Sequence, residues 1–222
     1  MTVTDQNRDA WTNELNRNQL QYPDEQVVRF VARHQATRAG ANGLDVGFGS
    51  GRHLEVLNRF GYRAWGVELV DHAPALARAN LGDRAVLGEL TIADIASQPF
   101  PAGTFDIALD YGVVFLRPNE DMQNEFAALH TMLRVGGALL VNFRSPESWF
   151  YALGERIDGE TFHLDERAGA YAGMNYTFHS RDAAEAIVTD SGFTVTNIER
   201  VDLWRSNATE QHSWWVVWAQ KR

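Results

Sequence analysis

The sequence predicts an α/β chain built on a doubly wound, mostly parallel sheet, and three observations carry that expectation. The first is Leu44-Asp45-Val46-Gly47-Phe48-Gly49-Ser50-Gly51-Arg52-His53-Leu54. A short apolar run ends in an acid, three glycines follow at alternate positions, and a helical pattern then begins (Leu54, Val56, Leu57, Phe60). Glycine adopts backbone angles that other residues resist and lets a ligand lie against the main chain. Strand, glycine turn and helix in that order make a nucleotide-type pocket. The second observation is the alternation of short strand-like runs with amphipathic segments through the middle of the chain. The third is the end, where two strand-like runs flank a short polar stretch, Trp204 to Gln211, and so form an antiparallel hairpin.

In chain order, residues 1 to about 20 are polar, with Trp11, Leu15 and Leu20 at the spacing of a loosely amphipathic helix. Tyr22-Pro23-Asp24 reads as a helix start, and Val27, Val28, Phe30 and Val31 supply the apolar face of that helix. Strand one lies after Gly40, and the helix behind the glycine turn ends near Gly61. Tyr62 to Glu68 reads as a second buried strand closed by an acid, Pro74 to Ala79 as a short helix, and Val86-Leu87 as a short third strand. Strand four is Phe105 to Leu109. Asp110-Tyr111-Gly112 lies at its C-terminal end, where open α/β sheets bind ligands. Asn119 to Leu133 is a helix with Met122, Phe126, Leu129 and Leu133 on one face, and strand five is Ala138 to Phe143. From Arg144 to Thr177 no period is clean, and Trp149, Phe150, Tyr151, Phe162, Tyr171 and Tyr176 are mixed with glycine and charge. So long an irregular stretch is either a substrate-side insertion, expected over 144–179, or a cap on the sheet edge. Ser180-Arg181-Asp182 opens the last helix and Gly192 ends it. Phe193 to Val201 and Ser213 to Ala219 complete a sheet of seven strands.

Bulk properties narrow the function. A chain of 222 residues with 45% hydrophobic content suits a single domain over 1–222. The net charge of −9 argues against a nucleic-acid face. With no cysteine there is no disulfide, thiolate metal site or cysteine nucleophile. No apolar run is long enough for a membrane span, and Met1 to Asp9 show no signal-peptide core, so the expected location is the cytoplasm without a membrane partner. Asp158, Glu160, His163 and Asp165 are clustered in sequence, as charged loops often are, and no metal is expected.

Two cofactor classes compete for the glycine turn. The dinucleotide fingerprint G-x-G-x-x-G fits Gly47 and Gly49 but meets Arg52 at its third position. The alternative, an acid followed by G-x-G-x-G, is matched in full by Asp45, Gly47, Gly49 and Gly51. There the sequence resembles motif I of the class I S-adenosylmethionine-dependent methyltransferases of small-molecule type. The resemblance implies S-adenosyl-L-methionine as cofactor and S-adenosyl-L-homocysteine as product. It also implies a Rossmann-like seven-stranded sheet with an antiparallel last strand and an N-terminal helical lid, here residues 1–36. The turn with Phe48 would wrap the methionine part, and Asp45 would support it and contact the amino group.

Glu68 stands where motif II places a ribose-binding acid, with Leu69 beside it. The run Asp94-Ile95-Ala96-Ser97-Gln98-Pro99-Phe100, closing on Phe105-Asp106, resembles the family's acid and Leu-Pro-Phe loop, with Gln98 in place of leucine. By that match Asp94 would bond the adenine amino group and Ile95 would pack on the ring. Glu89, close behind the expected third strand, is the rival acid, and loop length favours Asp94. Asp110 would border the cofactor, and Tyr111, Tyr22 and Trp149 the substrate, although Tyr22 packing on the domain is the plainer reading. Leu133-Arg134-Val135-Gly136-Gly137 resembles the family's Leu-Lys-Pro-Gly-Gly turn, with Val135 for proline. By motif the resemblance spans residues 40 to 145, and beyond that it rests on strand order.

The implied reaction is direct displacement at an activated methyl, so the protein's task is to align the partners and exclude water. A base is needed only where the acceptor must lose a proton. Of seven histidines, His163 and His179 lie in or just after the irregular segment and are the candidates, histidine being suited to that role near neutrality. His53 and His72 read as structural. Asp110-Tyr111-Gly112-Val113 stands where enzymes that methylate base amino groups carry an Asn/Asp-Pro-Pro-Tyr/Phe signature, so nucleic acid is not an expected acceptor. The aromatic segment suits a small organic acceptor (a sugar, secondary metabolite or phenolic) methylated on O or N. A protein or lipid-linked acceptor and a non-catalytic binder of the cofactor are the alternatives. A nicotinamide oxidoreductase is disfavoured by Arg52 and the hairpin. A monomer or homodimer is expected.

Overall fold

A computed structural model of the chain describes residues 3–17 and 19–222; residues 1, 2 and 18, part of the expected lid, lie outside the described residues. At the centre of the sheet is β1 (Asn42–Val46), every residue of which is buried after the first. It pairs in parallel with β2 (Arg63–Glu68) on one side and β4 (Phe105–Asp110) on the other. β3 (Leu87–Ile92) lies outside β2, and β5 (Leu133–Arg144) outside β4, all parallel. The sheet is completed by β9 (Phe193–Arg205) and β10 (Glu210–Lys221) in the order β3-β2-β1-β4-β5-β10-β9. β10 is antiparallel to both its neighbours, as expected for the last strand.

Helices α2 (Glu25–Arg33), α3 (Arg52–Arg59) and α4 (Ala73–Leu81) cover one face. Their core holds Phe30, Leu54, Leu57 and Leu140. Asp24 starts α2 by accepting the Gln26 amide at 2.9 Å, which satisfies one of the amides a helix leaves open. α5 (Asn119–Met132) and α6 (Arg181–Asp190) cover the other face around Phe126, Leu129, Phe143 and Phe193. No described helix is long and apolar enough to cross a membrane.

Three departures from the sequence reading matter. The third strand begins at Leu87 and runs to Ile92, so Glu89 is inside it; as an edge strand it buries only Leu90 and shows no apolar run. Strand five starts at Leu133, so the residues matched to a turn form the strand's exposed beginning. The irregular segment holds an antiparallel sheet of β6 (Gly154–Asp158), β7 (Thr161–Leu164) and β8 (Asn175–Thr177). Strands of five, four and three residues are too short to display an alternation.

This small sheet has its own core, with Phe150, Phe162, Leu164, Tyr176 and Phe178 buried together. α1 (Val3–Arg17) lies across it. Asn7 pins the two together: its Nδ2 donates to the carbonyls of Leu116 (2.5 Å) and Asn175 (2.9 Å), and its Oδ1 accepts the Asn175 amide at 2.6 Å. Leu20 falls beyond α1 and is exposed.

Candidate functional site

Strand order reverses between β1 and β4, and a crevice outside their C-terminal ends is the place where such sheets take ligands. The glycine turn closes one side of it. The Gly47 amide donates to the Val67 carbonyl and the Gly51 amide to that of Phe48, both at 2.8 Å, so the turn is tied to β2 and to itself. Gly47 has φ +67°, and a Cβ there would stand 2.4 Å from Val113 Cγ2, which excludes any side chain. Gly49, at φ +48°, turns its amide toward the next strand and donates to Glu68 Oε2 at 3.0 Å. The other oxygen of Glu68 accepts the Leu69 amide at 2.8 Å. Burial pushes the Glu68 carboxyl up, and the two amides draw it back. Gly51 caps α3 and faces Ala77 of α4.

Asp45 is buried beneath the turn with both carboxylate oxygens lacking a hydrogen-bond partner. Its Oδ1 lies 3.7 Å from His53 Nδ1. A carboxylate with unspent acceptor capacity beside a glycine turn is suited to a ligand ammonium group.

A second ionic group supports the far side. Asp94 caps the short helical turn Ile95–Ser97 through the Ala96 amide (2.9 Å) and is held by Arg117 at 2.7 and 3.1 Å. Burial raises the Asp94 carboxyl, but hydrogen bonding and charge from Arg117 outweigh it and hold the group below the usual range. Arg117 Nε also meets the fully buried Glu125, which in turn adjoins Asp110 at the end of β4. Desolvation, and then the Glu125 charge, push Asp110 well up. Asp110 and Glu125 share a side-chain hydrogen bond, with Arg117 on the Glu125 side and the Val114 amide on the Asp110 side.

These elements enclose a cavity of about 490 Å³, in the range of small-molecule sites. Gly47, Phe48, Gly49, Glu68, Leu69, Ile95 and Tyr111 all line it. Asp45, Gly51, Asp94 and Asp110 sit behind that lining. Other expectations fall outside. Tyr22 is 84% exposed and offers only its carbonyl, to Arg52. Trp149 packs its ring on Phe150 away from the cavity.

Neither candidate base reaches the cavity, which corrects the reading of His163 and His179. His163 Nδ1 pairs with Asn175 Oδ1 at 2.9 Å within the small sheet. His179 lies on the opposite side, its Nε2 2.7 Å from Asn119 Oδ1 and its ring against Phe143, where burial lowers it to about 4. His163 is turned away on β7, and His179 lies in the loop between β8 and α6. Among the described lining residues the one histidine is His53, and its Nε2 faces the Asp24 amide at 3.4 Å.

Trp11, which the sequence already offered as a pocket residue, lies beside Gly49, and Tyr171 and Tyr176 come from the aromatic segment; Phe115, Arg144 at the end of β5 and Trp214 of β10 complete the lining without a local signal in the sequence. β9 runs four residues beyond its expected end and brings Leu203 and Arg205 to the rim. Tyr111 faces Asp24, and burial with that neighbouring charge keeps its phenol protonated.

Residues 44–141 match the family model described as a methyltransferase domain. No curated protein matches the sequence. Among solved structures the chain is similar to a SAM-dependent methyltransferase from Methanosarcina mazei, with 17% identity over 86% of this chain and 96% of that one, at a TM-score of 0.71. It is also similar to 1,6-didemethyltoxoflavin-N1-methyltransferase from Burkholderia thailandensis, bound to 1,6-didemethyltoxoflavin and S-adenosylhomocysteine (19% identity, 98% and 88% covered, TM-score 0.71). Magnesium protoporphyrin IX methyltransferase from Synechocystis, bound to the same product, shares 16% identity over 100% and 88% of the two chains, at a TM-score of 0.64. At such identities the likeness shows a common fold.

Proposed function

We propose that the chain, whose residues 44–141 match a methyltransferase domain, is a class I S-adenosylmethionine-dependent methyltransferase that methylates an O or N atom of a small organic acceptor. One observation carries the reading: a cavity of small-molecule size, about 490 Å³, runs from the glycine turn to a set of aromatic side chains suited to a flat organic acceptor. When bound, S-adenosylmethionine supplies a sulfonium-activated methyl group that an acceptor lone pair displaces.

The residues present fit that cofactor. In this proposal the unsatisfied Asp45 carboxylate takes the ammonium group, and the buried Glu68 accepts the ribose hydroxyls. Ile95 and Leu69 cover the adenine, with Asp94 held in place by Arg117 at the ring's edge. The excluded Cβ at Gly47 lets the methionine part lie on the main chain. α1 serves as the lid and the small sheet as the substrate-side insertion, fixed to each other through Asn7.

The chemistry asked of the side chains is mainly alignment and exclusion of water. His53 Nε2 faces the Asp24 amide, and burial keeps the Tyr111 phenol protonated.

The test is transfer of a labelled methyl group to metabolite extracts, with the product resolved by mass. Label in compounds small enough for the cavity is the expected result. Label confined to protein or lipid fractions would overturn the small-acceptor reading.

A further inference from the structure

Arg144 is a buried cation in the cavity lining that the donor site does not use. It is 5% exposed, and its guanidinium carbon lies 4.5 Å from the ring centre of Trp214, 4.9 Å from Phe150, and 5.1 Å from both Phe115 and Tyr176. Four segments distant in sequence thus close an aromatic cage around one cation. Among the described residues no carboxylate lies within ion-pairing distance of it. Its Nε has no hydrogen-bond partner, and Nη1 has a 3.5 Å contact with Ser148 Oγ. The Tyr176 hydroxyl is its other polar neighbour.

Most of the other charges lining the cavity have partners within the chain. Arg8 is held by Asp5 and Asp9, and Arg117 by Asp94 and Glu125. Arg52 lies in the field of Asp24 and Asp45, and Arg205 is exposed. On the acidic side, Asp24 caps α2, backbone amides hold Glu68, and Arg200 and Gln211 hold Asp202. A buried cation left without a counter-charge is costly unless a ligand supplies one. Aromatic faces attract it but leave its in-plane donors unspent.

Building on the proposed small-acceptor reading, we propose that the acceptor is an aryl or otherwise conjugated monocarboxylate, anchored by its carboxylate on the Arg144 guanidinium with its planar body between the aromatic walls. The planar fork of a guanidinium matches a carboxylate bidentately. Arg205, at the rim of the same cavity and near enough to act on Arg144, adds a second positive charge to the surroundings of such an anion. Trp11, Tyr171 and Trp214 line the same cavity and offer the rings on which a flat ligand packs. Burial, which lowers the guanidinium from its ordinary value, is offset by such a partner.

Calorimetric titration of the protein loaded with S-adenosylhomocysteine tests this directly. The probes are benzoate, cinnamate and indole-3-carboxylate, each compared with its own primary carboxamide. At least one acid should bind roughly tenfold or more tightly than its amide, the gain typical of a hydrogen-bonded charge. Arg144→Met should remove that difference while S-adenosylhomocysteine affinity stays as in the wild type, and Arg144→Lys should retain part of it. Amides that bind as well as the acids, or acids that fail to bind at millimolar concentration, would overturn the proposal, and that wild-type comparison stands even if Arg144→Met does not fold. Failure to take up S-adenosylhomocysteine would count instead against the donor-site reading, and the acid and amide series is then compared on unloaded protein.

Discussion

Glu68 and Gly49, nineteen residues apart, are joined by a 3.0 Å hydrogen bond from the glycine amide to the buried carboxylate, which locks the strand-end acid against the turn. The turn and the acid thus form one rigid receptor edge. Glu68→Ala should weaken S-adenosylhomocysteine binding by about 1–3 kcal/mol, the cost of losing hydrogen bonds to a charged acceptor. Isothermal titration reads this, and an unchanged affinity would remove Glu68 from the site.

Gly47 meets Val113 where no Cβ fits. Gly47→Ala should destabilise the chain through its positive φ, by about 1–2 kcal/mol, and through the clash. Adding Val113→Ala should recover the part due to the clash and leave the part due to φ. Denaturant melts of the single and double variants check it; a fully additive pair would contradict the contact.

Asp110 holds its proton in the folded state, while an unfolded chain releases it in the ordinary carboxylate range. The folded state therefore binds more protons over that window, and stability falls as pH rises above about 4. Asp110→Asn, which cannot titrate, should gain in melting temperature over the wild type as pH is raised from 4 to 8. Parallel profiles for the two proteins would show that Asp110 ionises normally.

His179 carries the opposite sign. Burial lowers it to about 4, so the folded state resists a proton that the unfolded chain accepts near 6.5, and stability is lost as pH falls between those values. The loss is on the order of 3 kcal/mol by pH 4. His179→Gln should flatten that acid-side decline in thermal melts and leave the methyl-transfer pH profile unmoved. A shifted activity profile would restore it to the reaction.

Asn7 satisfies three backbone groups of the Leu116 turn and β8. Asn7→Ala should cost about 1–3 kcal/mol, concentrated where α1 meets the small sheet. Hydrogen exchange should show α1 losing protection while the central strands keep theirs. Uniform loss would mean that α1 unfolds only with the whole domain.

The donor end of the cavity was legible because its signals are local. Asp45 to Gly51 and Glu68 announce themselves within a few residues as a glycine turn and an acid closing an apolar strand. Loop length favoured Asp94 over Glu89 in the sequence; in the structure Asp94 is held by Arg117 beside the cavity-lining Ile95, and Glu89 lies within the edge strand and accepts the Thr91 hydroxyl. The acceptor end was not legible, because its residues converge from afar. Nothing near Arg144 in sequence shows that Phe115, Tyr176 and Trp214 will surround it. His163 was misplaced for a related reason: on a strand of four residues no alternation was visible to show which way it points, while His179 lies beyond β8 with its ring against Phe143.

Most of the aromatic side of the cavity comes from α1, the small sheet and the closing hairpin, joined to Phe115 and Arg144 of the central framework, whereas the turn and its acids come from the continuous first half of the sheet. Appetite for new compounds can thus evolve by tinkering at the chain's periphery, with the inherited methyl-donor machinery untouched. Grafting those three peripheral pieces onto a relative's framework is the natural way to transplant its taste.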